Sequence, residues 1–99
     1  MTDAPLSSLK LLVMPLHVRK GETISACIDA ANVAETIATL HALDTVVISQ
    51  PHTVRIGAGT FRETVTWVVD HVQQGTTSDV EITVSDGRLT QKGQCRVAG

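Results

Sequence analysis

Residues 57–75 read GAGTFRETVTWVVDHVQQG, and this stretch decides the fold class that the sequence predicts. Thr60 and Glu63 have the spacing of a capping box at a helix start, and Gly75 supplies a stop. The β-branched residues oppose a helix by intrinsic propensity, but periodicity and caps favour one. We therefore predict a helix over 61–74, with one apolar face formed by Phe61, Val65, Val68, Val69 and Val72.

The preceding segment, residues 23–43, admits two interpretations. Val33, Ile37 and Leu40 are spaced as one face of a helix, and Asn32 with Glu35 is typical of a helix start, so we predict a helix over 33–43. One continuous helix from Thr23 would be apolar on two faces, which favours a break near Asn32. Residues 23–31 stay open between a helix and a strand whose inner face is formed by Ile24, Ala26, Ile28 and Ala30.

Strands are predicted on both sides of these segments. In residues 9–18 and 45–49, both odd- and even-numbered positions are apolar, which is typical of strands whose two faces are both covered. In residues 52–56, apolar and polar residues alternate. Residues 80–97 form a hairpin with a two-residue turn at Asp86-Gly87, which places Leu89 opposite Val84. The return strand of this hairpin lies at an edge.

The predicted fold class is therefore α+β, a two-layer sandwich in which a mostly antiparallel sheet of four to six strands packs with two helices. If 23–31 is helical, the element order becomes the ferredoxin-like βαββαβ with an added edge strand. That order carries no activity, because such folds host many functions. The chain is expected to be a single domain over 1–99, with residues 1–8 flexible.

Composition restricts the function classes. The 99 residues carry a net charge of −2, and Phe61 and Trp67 are the two aromatic residues. No basic stripe is present, which argues against nucleic-acid binding. No apolar run is long enough to span a membrane, the N-terminus does not resemble a signal peptide, and two cysteines are too few for a disulfide framework. We expect a cytoplasmic protein that binds neither nucleic acid nor membrane.

The predicted helix 61–74 carries the most informative candidate site. Trp67 falls roughly opposite the apolar stripe, with Thr64 and His71 near it, so these three residues are predicted to form a partner interface. The alternative is a Trp67 covered by the N-terminal tail or by a loop. Strands that are apolar on both faces also need something to bury the second face, and the other subunit of a homodimer is one possibility.

A second candidate is the glycine-rich turn before this helix. Gly57, Gly59, Thr60 and Arg62 are predicted, as a weaker hypothesis, to bind an anion at the helix start. Arg62 stands where a dinucleotide-binding pattern has its third glycine, and a tight turn needing positive φ explains the glycines as well.

No other motif carries chemistry. His17, His41, His52 and His71 lack metal-ligand spacing, so no metal site, no cofactor and no catalytic residues are predicted. The sequence favours a small non-catalytic interaction or assembly module that acts as a homo-oligomer or docks to a partner protein. The alternative is a small-molecule or phosphate-type anion binder, or a small enzyme, that uses the Gly57–Thr60 turn.

Overall fold

The computed structural model describes residues 6–99, and every regular element in that range is a strand. The predicted α+β class is therefore wrong: this part of the chain contains no helix. One mixed sheet has the strand order β2-β7-β6-β3-β5-β4, and β1 pairs with β3 outside that path. The strands are β1 (Ser8–Met14), β2 (His17–Arg19), β3 (Thr23–His41), β4 (Val46–Ile48), β5 (Thr53–Val72), β6 (Thr77–Ser85) and β7 (Thr90–Ala98).

The two long strands, β3 and β5, form an antiparallel ribbon that folds back on itself. The Leu40 backbone N–H donates to the His52 carbonyl at 2.8 Å. Trp67 lies opposite Ile24, and its indole N–H donates to the Pro51 carbonyl at 3.0 Å. These contacts bring the two ends of β3 together. A straight strand would hold Ile24 and Leu40 about 50 Å apart.

The fold-back produces two layers. The first layer holds β1, β3 over 23–31, β5 over 61–72, and β4; the second holds β2, β7, β6, β3 over 33–41, and β5 over 53–60. Apolar side chains from both layers form one buried core, in which Ile24, Ile28, Trp67, Ile82, Val84 and Val97 are almost inaccessible. The architecture is a β-sandwich whose layers share their two longest strands.

The bend of the ribbon coincides with residues that tolerate unusual backbone conformations. The register between β3 and β5 shifts three times between Ala30 and Ile37. Asn32 has φ of 54° there, and Gly57 and Gly59 on β5 have φ of 139° and 94°. Asparagine and glycine accept positive φ at low cost, so β-bulges and the bend concentrate at this place.

These bulges explain why the predicted helix 33–43 is wrong. In a regular strand the inward residues alternate, as Ile24, Ala26, Ile28 and Ala30 do, which confirms the strand interpretation of 23–30. The bulges then insert extra residues, so the next inward positions are Val33 and Thr36. The predicted stripe Val33–Ile37–Leu40 therefore combines two inward residues with the exposed Ile37, and its spacing imitates a helix although the segment is extended.

The predicted helix 61–74 is wrong for a related reason. In this strand the alternate positions that point toward the core hold Phe61, Val65, Trp67 and Val69. Glu63 occupies one of these inward positions but is exposed, so apolar and polar residues do not alternate regularly. A bulge against β4 then shifts the parity so that Val72 points inward. The supposed cap is also used differently, because Thr60 accepts a hydrogen bond from the Asn32 backbone N–H at 3.2 Å.

The C-terminal hairpin is confirmed, but its return strand does not lie at an edge, because β7 pairs with both β2 and β6. Ser85 pairs with Thr90, so a longer turn of four residues connects β6 to β7, and Val84 lies opposite Gln91 instead of Leu89. Asp86 organises this turn: its carboxylate accepts the backbone N–H groups of Arg88 and Leu89 at 2.9 and 2.7 Å, and that of Ala34 at 3.2 Å. The last bond ties the turn to the bend of β3.

At the N-terminus, the predicted flexible segment 1–8 falls largely on residues 1–5, which lie outside the described residues. Ser8 is already the first residue of β1, and Ser7 donates its hydroxyl to the Asn32 carbonyl at 2.6 Å.

Candidate functional site

Trp67 lies inside the sandwich, so its predicted position on the solvent side is wrong. Its side chain is 2% exposed, and the indole N–H is bonded to the Pro51 carbonyl in the β4–β5 connection. The residue lies on the inward side of β5 because strand parity, rather than helical rotation, decides its direction. The alternative interpretation, in which a loop covers Trp67, agrees with this position.

The other two predicted interface residues, Thr64 and His71, are exposed on the outer side of β5. Thr64 lies opposite Cys27 of β3, and its hydroxyl contacts the Cys27 sulfur at 3.8 Å. His71 lies opposite Val47 of β4. The structure therefore brings Thr64 and His71 to one face of the first layer and places Trp67 on the opposite side.

The glycine-rich segment 57–60 lies within β5 and opens no helix. Gly57 and Gly59 serve the bend of the ribbon, and Thr60 bonds across to Asn32. Arg62 points out of the first layer and pairs with Asp29 at 3.3 Å. The anion site was predicted from the dipole of a helix start, and this segment is a strand, so that dipole is absent.

The outer face of the first layer is its most distinctive surface. Two rows of directly opposite residues cross β1, β3 and β5 without a charged side chain, and Val68 with Val47 extends them toward β4. Leu12 is 57% exposed, and Met14, Val47 and Val68 are also exposed. We call this surface the uncharged face; its rows are Leu12–Cys27–Thr64 and Met14–Ser25–Thr66.

The outer face of the second layer has a different character. Arg96 of β7 forms an ion pair with Asp79 of β6 at 3.3 Å, and Glu81, Lys92 and Arg19 share that side of the sheet. Charged side chains keep a sheet face hydrated and discourage association. The two outer faces of one domain thus differ in chemistry: Leu12, Met14, Val47 and Val68 share the uncharged face, whereas the second layer exposes Leu16 and Ile37 on a side that carries charged side chains.

Charged residues border the uncharged face along the strands. At one end stands the row Lys10–Asp29–Arg62, in which the Arg62 guanidinium contacts the Asp29 carboxylate. At the other end the β5 bulge leaves Asp70 and His71 exposed together. A shallow depression lined by Leu11, Leu12, Cys27 and Ile28 adjoins the first border.

Among residues 6–99, two titratable groups have shifted pKa values, and neither lies on the uncharged face. The backbone N–H groups of Leu89 and Arg88 stabilise the Asp86 carboxylate and lower its pKa below the ordinary value. Burial raises the pKa of the Cys95 thiol, with a smaller contribution from Asp79. Cys27, in contrast, is only partly buried.

The described residues include no group of three metal-ligating side chains close enough to hold an ion. The imidazole of His52 is occupied by a hydrogen bond to the Ile48 carbonyl at 2.9 Å. Within residues 6–99, no helix is long and apolar enough to cross a membrane.

Comparison with known proteins identifies the fold. No protein-family model matches the sequence, and no curated protein shows significant similarity to it. Among solved structures, the chain resembles WR4, an MSP family member of C. elegans, with a TM-score of 0.53 and 10% identity over 90% of this chain and 97% of that one. It also resembles domains 4 and 5 of the S-layer protein SbsC, with a TM-score of 0.55 and 20% identity over 95% of this chain.

The chain covers 54% of the SbsC fragment, about half its length. At these identities the likeness concerns the fold alone, and it agrees with the two layers and strand pairing described above. Residues 6–99 therefore form an all-β sandwich, the fold that this chain shares with these structural neighbours.

Proposed function

We propose that this domain is a non-catalytic assembly module that associates with a second copy of itself through the uncharged face. The observation that carries the proposal is the contrast between the two outer faces: one presents Leu12, Met14, Val47 and Val68 to solvent, and the other is charged. Exposed apolar patches of this kind mark association surfaces. The likeness to part of an S-layer protein is consistent with an assembly role.

The chemistry of the face favours association over catalysis. Its polar members are the hydroxyls of Ser25, Thr64 and Thr66 and the Cys27 thiol, which can form hydrogen bonds without the desolvation cost of a charge. Sheets pack face to face when their contacting sides are apolar and weakly polar. The sequence signal for this surface is the two-sided apolarity of residues 9–18 and 45–49, which includes Leu12, Met14 and Val47.

The test compares two identical substitutions on opposite faces. Thr66→Asp places a carboxylate at the centre of the uncharged face, whereas Thr83→Asp places one on the charged face of the second layer. An unpaired charge in an interface is costly, so Thr66→Asp is expected to raise the dimer dissociation constant at least about tenfold. Thr83→Asp should leave it within about twofold.

Sedimentation equilibrium over a protein concentration range of about 1 to 500 µM measures these constants. Circular dichroism of each variant establishes that the fold is retained. A wild-type protein that stays monomeric throughout this range contradicts self-association. Equal weakening by Thr66→Asp and Thr83→Asp would place the contact elsewhere.

A further inference from the structure

The borders of the uncharged face show how two copies would be oriented. Arg62 and Asp70 lie on the same strand, with Thr66 midway between them. Four residues separate Thr66 from each; the regular stretch to Arg62 spans about 13 Å, and the stretch to Asp70 ends in the β5 bulge. The charges at the two ends of the face are therefore opposite in sign and at similar distances from its centre.

Thr66 belongs to the central row of the face. It lies opposite Ser25, which lies opposite Met14, so this row is uncharged across three strands. A two-fold axis along this row would carry each position of β5 onto the position equally far on the other side of Thr66. Arg62 would then face Asp70 of the partner subunit, and Asp70 would face Arg62 of the partner subunit.

We infer that the partner at the uncharged face is a second copy of this chain, packed with its β5 strands antiparallel and held in register by two Arg62–Asp70 ion pairs. The inference rests on the self-association proposed above. Any other orientation loses this complementarity; a parallel arrangement would set Arg62 against the partner's Arg62 and Asp70 against the partner's Asp70.

The apolar contacts support the same orientation. The rotation that pairs Arg62 with the partner's Asp70 also brings Thr64 against Val68 of the partner subunit. Val68 is 41% exposed in the single chain, so this contact would bury apolar surface. Packed sheets are about 10 Å apart, a distance that arginine and aspartate side chains can bridge together. The existing Arg62–Asp29 contact holds the guanidinium at this border.

Reciprocal charge reversal tests the orientation. Arg62→Glu gives a face with acidic residues at both ends, and Asp70→Lys gives one with basic residues at both ends. Each variant alone should dimerise at least about tenfold more weakly than the wild-type protein, because like charges meet at two places. In an equimolar mixture, Glu at position 62 of one chain meets Lys at position 70 of the other, and both contacts become attractive.

The mixture is therefore expected to form heterodimers with a dissociation constant within about threefold of the wild-type value. Sedimentation with one variant labelled by a fluorophore distinguishes heterodimers from homodimers, and circular dichroism verifies that both variants fold. A mixture that associates no better than either variant alone overturns the antiparallel orientation. If Thr66→Asp still dissociates the wild-type dimer in that case, the proposed function stands and only the orientation is wrong.

Discussion

Replacing Trp67 with alanine is expected to unfold the domain or bring it close to unfolding. The side chain is 2% exposed and its N–H group is bonded to the Pro51 carbonyl. Removing a buried tryptophan costs about 3–5 kcal/mol through lost contacts and the cavity that remains. The Pro51 carbonyl loses its partner as well, which adds about 1 kcal/mol. The sum approaches the lower end of the free energies of unfolding of small domains, about 5–15 kcal/mol.

Two further substitutions separate the contributions. Trp67→Phe keeps most of the volume but lacks the donor, so it should cost about 1–3 kcal/mol. Val68→Ala, at the neighbouring exposed position, is the matched control and should cost less than about 1 kcal/mol. Urea denaturation followed by far-ultraviolet circular dichroism measures all three, since the chain has no other tryptophan for fluorescence. A Trp67→Ala variant as stable as Val68→Ala would refute the assignment of Trp67 to the core.

Two other positions give predictions of a different kind. Gly93→Ala should lower the melting temperature, because a Cβ atom there would overlap the Val13 side chain of the opposite layer; the expected cost in stability is about 1–3 kcal/mol. Calorimetry of the Val13→Ala/Gly93→Ala double variant should show a loss of stability smaller than the sum of the losses of the two single variants. The lowered pKa of Asp86 means that its carboxylate stabilises the fold above its unfolded-state pKa and loses that contribution as pH falls through the folded pKa. Asp86→Asn should therefore be less stable than the wild-type protein at pH 7, and the difference should shrink in denaturation curves recorded below about pH 4; a difference that does not change with pH would contradict this role.

The strands in which apolar and polar residues alternate regularly could be predicted from the sequence, and the strands that contain bulges could not. The C-terminal hairpin was predictable because Val80, Ile82 and Val84 alternate without interruption and a turn signal follows at Asp86-Gly87. The 23–30 strand was one of two interpretations for the same reason. Beyond Asn32, the bulges place the inward residues Val33 and Thr36 at intervals of three, and the exposed Ile37 completes an apolar spacing that matches the period of a helix.

The candidate surface was only partly predictable. Thr64 and His71 were selected as neighbours on a helix, yet they share the outer side of the first layer because the β5 bulge returns His71 to that side. Leu12 and Met14 carried a sequence signal, since residues 9–18 are apolar at both parities, but nothing local shows which parity faces the core. That choice depends on β3 and β7, which cover Val13 and leave Leu12 in solvent.

The folded-back ribbon has a consequence for how the native state opens. β3 and β5 supply hydrogen bonds to both layers, so neither layer can separate without breaking the central strands of the other. The three-residue strands β2 and β4 make the shortest pairings, yet each still buries core residues, Val18 in β2 and Val46 and Ile48 in β4. Amide hydrogens along β3 and β5 therefore exchange with solvent mainly through complete unfolding, and the domain behaves as one cooperative unit.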